Sequence, residues 1–153
     1  MRVLVHYNLA GADQALAQFA ERWADEALVM DQWFAVQASI PGPASLSTIE
    51  ALMAHPAFDW TVPNRVRALV GTLANGNPSA FHSADGEGYR LFAAVLTRLD
   101  GINPQIAARL ANAAARLPKL EPGRRGQLAS ALEAVKKQAS DNLSEVLGRI
   151  LTA

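Results

Sequence analysis

In the stretch "INPQIAARL" (102–110), two hydrogen-bonding side chains stand one helical turn apart on the same side, Gln105 and Arg109. Asn103 caps the expected helix and Pro104 occupies its first turn, which accounts for both of those residues locally. Gln105 and Arg109 have no such local task. What they point at, their spacing alone does not say.

Other chemistry is harder to build. The common zinc hydrolase needs two histidines at i and i+4 on a helix, a glutamate base and a third ligand downstream. His6, His55 and His82 are the only histidines, each isolated, and there is no cysteine. No metal site is therefore expected in this chain. His82 stands near Asp85 in "NPSAFHSADGEGY", where a structural hydrogen bond is the simpler reading. "ADGEGY" (84–89) holds Gly-x-Gly without a preceding strand or a third glycine, so it is no dinucleotide fingerprint. Asp85 and Glu87 instead suit the positive end of a helix carrying Tyr89 and Leu91. No serine sits on a nucleophile elbow and no phosphate loop is present. The chain is expected to be inactive on its own and to hold no cofactor.

The elements that must position these residues read as helices. Leu16, Phe19, Ala20 and Trp23 share a face within 13–24; Val66, Leu69, Val70 and Leu73 follow Pro63. Leu91, Phe92, Val95, Leu96 and Leu99 form a stripe over 87–100. Ile106, Leu110, Ala113 and Leu117 follow Pro104; Leu128, Ala131, Leu132 and Val135 follow Pro122; Leu143, Val146, Leu147 and Ile150 end the chain. "EALVMDQWFAVQAS" (26–39) is apolar around most of its circumference, so this helix belongs at a centre, packed on several sides. Ser47 and Glu50 have capping-box spacing, and that helix should stop at His55-Pro56. All eight prolines are expected between helices. Phe58 and Trp60 lie in a linker, where they pin the loop to the core or serve an interface. "VLVHY" (3–7) is the best strand candidate and reads equally well as helix.

About eight or nine helices with short links, in pairs recurring roughly every 35 to 45 residues, give an all-α fold of antiparallel pairs in an ARM/HEAT-like superhelical array. Residues 1–153 are expected to be one helical domain. Fourteen basic residues balance fourteen acidic ones, so no overall field recruits nucleic acid or an anionic membrane; Arg65 and Arg67, or Arg124 and Arg125, read as a solvated face or as partners for nearby carboxylates. No signal peptide or apolar span of about 18 residues is visible. The expectation is a soluble, cytoplasmic protein.

Three stretches carry a resemblance: "LVMDQWFAVQAS" (28–39), "HPAFDWTVPNRVRALVGTLANGNPSAFHSADGEGY" (55–89) and "NPQIAARL" (103–110). From about residue 15 onward the chain resembles the C-terminal domain of the bacterial aminopeptidase N family, M1 zinc metallopeptidases. The resemblance implies a longer enzyme whose zinc sits in another domain, with an HExxH motif, a GAMEN-type motif and a transition-state tyrosine, none of which occurs here. It implies an N-terminally truncated helical domain that closes over the catalytic domain of the same polypeptide, gates a chamber and admits short peptide substrates. Gln105 and Arg109 would then start toward that chamber and hold peptide backbone, or else lie on a solvated or interdomain face, the reading preferred for Asn112 and Arg116. The alternative function is an independent helical-repeat scaffold that binds other proteins. A cut within such an array should leave apolar helix surface exposed near residues 3 to 20.

Overall fold

The computed structural model describes residues 1–7 and 9–153, Arg2 through its backbone alone. Among the described residues every regular element is helical. They gather into two compact units, Met1–Ala80 and Phe81–Ala153.

The first unit begins with α1 (Arg2–His6), α2 (Ala12–Trp23), α3 (Ala27–Ala38) and α4 (Ser45–Met53). A continuous helical run follows: α5 (Pro63–Val66), a π-helical turn (Arg67–Gly71) and α6 (Thr72–Gly76). The short α7 (Pro78–Phe81) leads onward. The strand candidate at 3–7 is helical in α1, with Val5 buried and Val3 and Tyr7 exposed. As its apolar circumference predicts, α3 is central, packing against α1, α2, α4, α5, α6 and the π turn. Trp33 is fixed there by its indole N–H, which donates to the Leu16 carbonyl at 2.9 Å.

Two details of this unit depart from expectation. Gly42, at φ 95, turns the chain so that α4 starts at Ser45 with Ala44 as its cap. The capping box at Ser47 therefore does not form; its hydroxyl donates back to the Ala44 carbonyl at 3.0 Å. The helix does stop just before His55-Pro56, with Ala54 as its last, C-cap residue. Asn77, buried and unforeseen, staples the links on either side: its amide N–H groups donate to the carbonyls of Ala38 (2.9 Å) and Ile40 (2.6 Å), and its Oδ1 accepts from Ser79 Oγ and Ala80 N.

The second unit comprises α8 (Glu87–Asp100), α9 (Pro104–Ala111), a 3-10 run (Asn112–Lys119), α10 (Pro122–Lys136) and α11 (Asp141–Thr152). Phe92, Leu96, Leu99, Leu128, Leu132, Leu143 and Leu147 form its core. The starts of α9, α10 and α11 are each closed by a side chain. Asn103 Oδ1 accepts from Ile106 N, Glu121 from Gly123 N and Arg124 N, and Ser140 Oγ from Leu143 N. Satisfying orphan amide groups in this way fixes where each helix begins.

The stripe expected after Pro104 is shifted. Ile106 and Leu110 are half-buried, while Ala107, Ala108 and Ala111 face the interior. Beyond Asn112 the run tightens to three residues per turn, so Ala111, Ala114 and Leu117 align and burial passes from Ala113 to Ala114. Pro118 lies inside this run, near its end, where it falls in no link.

Candidate functional site

The short side chains on the buried face of α9 let it lie close against α8 and α11. With Asn103 and Pro104 fixing its start, its outward face has a set direction. Gln105, Arg109, Asn112 and Arg116 all lie on that exposed side. Asn112 is used locally, its Nδ2 donating to the Ala108 carbonyl at 3.1 Å. Among the described residues no group holds the side chain of Gln105 or Arg109 by hydrogen bond or ion pair. The two thus stand free, one turn apart, on a helix whose opposite side is fixed.

A second cluster surrounds His82. Its Nδ1 lies 2.6 Å from the Tyr89 hydroxyl, inside a ring cluster with Phe81. The partner foreseen for His82, Asp85, is engaged elsewhere: it accepts from Ser83 Oγ (2.7 Å) and Glu87 N (3.0 Å). These bonds hold the Asp85 carboxyl below its usual range, the Glu87 amide contributing most. The loop then turns through Gly86 at φ 74 into α8, so the acidic residues sit at its start as read from the sequence. Arg124 clasps the loop from α10, donating from Nε to the His82 carbonyl at 2.8 Å. Burial, then the Arg124 charge, lowers the His82 pKa, and burial raises that of Tyr89. The bond between the Tyr89 hydroxyl and the His82 ring ties α8 to the loop before it and braces that loop.

In the first unit, Arg65 takes the second of its two readings, as the partner of a carboxylate, and is buried besides. It is only 7% exposed. Its Nε donates to Asp31 Oδ1 at 2.6 Å, Nη1 to the Ala57 carbonyl at 2.7 Å and Nη2 to the Ala27 carbonyl at 3.3 Å, with the guanidinium 5.0 Å over the Phe34 ring. Asp31 lies 34 residues away in sequence, so no local spacing signals the pair. Phe58, also in this region, is buried against Phe34 at 5.6 Å and against Trp60 at 5.1 Å, pinning the linker to the core.

The resemblance implies zinc in another domain. Among the described residues no three His, Asp or Glu side chains converge on one point. His55 Nδ1 accepts from Ala57 N at 3.1 Å and His6 stacks edge-on against Tyr7. Among the described residues no helix is long and apolar enough to cross a membrane.

Comparison with known proteins places these features in context. Residues 1–152 match the family model described as a domain of unknown function (DUF3458_C) made of ARM repeats, which agrees with the all-helical fold. Aminopeptidase N of Haemophilus influenzae is 44% identical over 135 residues, 88% of this chain and 15% of that protein. Aminopeptidase N of Escherichia coli is 39% identical over 132 residues, 86% of this chain and again 15% of the relative. Among solved structures, the aminopeptidase A of Legionella pneumophila in complex with aspartic acid aligns with a TM-score of 0.94 and 32% identity, over 99% of this chain and 18% of that one. The chain thus spans about 15% of the length of these curated relatives.

Proposed function

The chain belongs to the DUF3458_C family of ARM-repeat domains, the C-terminal domain of aminopeptidase N-like enzymes, and from that premise we propose that it positions and gates peptide substrates without hydrolysing them. It closes over the catalytic domain of the same polypeptide, and Gln105 and Arg109 reach the bound peptide. The observation that carries this reading is the pair of free, outward side chains on the rigidly backed α9. Gln105 offers an amide to peptide N–H and C=O groups, and Arg109 a fixed fork of donors for a carbonyl or carboxylate. Groups held on a rigid helix influence rate by fixing the geometry of the bound substrate. The zinc of the enzyme lies outside this chain and supplies the hydrolytic chemistry; among the described residues no group of three His, Asp or Glu side chains could hold it.

The test is direct. The isolated chain, assayed with added zinc and an aminoacyl fluorophore, should release no fluorophore; measurable turnover overturns the non-catalytic role. The gene should continue upstream into an HExxH-encoding segment. A natural start at codon 1 with no such segment would favour the independent scaffold.

A further inference from the structure

We propose that the groove between α2, α3 and the 63–76 helical run binds the carboxyl-terminal end of a peptide whose last side chain is apolar. The groove encloses about 720 Å³ and is lined by Phe19, Leu28, Val29 and Ala68, with Asn64 and Arg67 as its polar side. That volume accommodates a ligand of a few residues. Leu28 stands 74% exposed, so the apolar wall is open to an occupant.

Arg67 supplies the charge. The π turn begins at Arg67 and ends at Gly71, and a Cβ added to Gly71 would meet Arg67 Cγ at 3.2 Å. The arginine stem therefore lies in the space the glycine leaves. At its other end Nη1 donates to Asn64 Oδ1 at 2.9 Å. The guanidinium is held at Nη1 alone, its other donors are left over, and among the described residues no carboxylate pairs with it. The carboxylate in the same lining, Asp31, is already bound to Arg65 at 2.6 Å. The groove thus presents one uncompensated cation beside an apolar wall, and a guanidinium fork matches a carboxylate. A terminal apolar residue carries its carboxylate and its side chain on one Cα. In so short a groove it meets both requirements at once, where an acidic side chain would need a neighbouring residue to supply the apolar part.

The proposal is independent of the role given to Gln105 and Arg109, because its test needs no catalysis. The full chain, ¹⁵N-labelled, is titrated with acetyl-Ala-Ala-Leu bearing a free carboxylate, with its carboxamide, and with acetyl-Ala-Glu-Leu carboxamide. The acid should saturate shifts at Leu28, Asn64 and Arg67 and bind about tenfold more tightly than either amide, as losing a charged hydrogen bond implies. Arg67→Gln should bring acid and amide to equal affinity. Leu28→Ser should weaken both by the same factor, the spectra elsewhere showing that each variant is folded. The absence of saturable shifts at the groove, equal affinity of acid and amide for the unmodified chain, or tight binding of the glutamate-containing amide would overturn it.

Discussion

Arg65 and Arg109 are the same residue put to opposite uses. In the first unit Arg65 is buried, and its donors go to one carboxylate and two carbonyls. In the second, Arg109 stands on the surface of α9 with no partner among the described residues. A buried guanidinium must have its charge and N–H groups satisfied within the fold, so its role is structural. An exposed one on a helix fixed from behind has donors left over for something outside the chain. The contrast separates what holds the protein together from what is available to a ligand.

Substitutions sharpen that contrast, beginning with the largest effect. Arg65→Ala strands the Asp31 carboxylate and the two carbonyls, and should cost about 3 to 5 kcal/mol in urea unfolding. A loss under about 1 kcal/mol would remove the structural half of the comparison. Ala111→Leu overfills the face that seats α9 and should cost about 1 to 3 kcal/mol; the same measurement reads it. Ser140→Ala removes the α11 cap, and with it the bond that Ser140 Oγ donates to Asp100 Oδ1 at 2.5 Å and the one it accepts from Leu143 N. The expected cost is about 1 kcal/mol.

A pH effect comes next in size. The folded pKa of His82 is lowered, first by burial and then by Arg124, so the unfolded chain takes up a proton before the folded one does. Stability is then full above the unfolded value of 6.5 and falls as the pH drops from there toward the folded value. The melting temperature should decline from pH 7 to pH 5, and His82→Gln should flatten that decline. An unchanged slope would remove His82 as its source. Asp59, Asp85 and Glu121, with lowered values of their own, act below this window. The smallest stability effect belongs to Gln105→Ala and Arg109→Ala, within about 0.5 kcal/mol.

How much of this was legible in the sequence follows from how local each signal is. Asn103 before Pro104 names its own helix start, and the uniformly apolar 26–39 segment announces a central helix. Capping at Ser47 failed because Gly42, five residues earlier, had already set where α4 begins. The stripe after Pro104 was misplaced because its period changes from 3.6 to 3 within the run, which composition does not signal. The π turn escaped for a similar reason, its residues being ordinary helix formers apart from Gly71. Arg65 and Asn77 were invisible as buried anchors, since Asp31 and Ala27 for the one and Ala38 and Ile40 for the other are distant in sequence, Asp31 by 34 residues and Ala38 by 39. Gln105 and Arg109 stand as candidates because they are residues left without a local use, and the structure leaves them exposed.

The central claim is that this exposed pair acts on substrate and not on the fold. In the full-length enzyme carrying this domain, Gln105→Ala and Arg109→Ala should each lower kcat/KM for a tripeptide by about tenfold or more. The melting temperature should stay that of the parent, and Arg116→Ala should behave as the parent does. Unchanged kcat/KM in both variants would contradict the account.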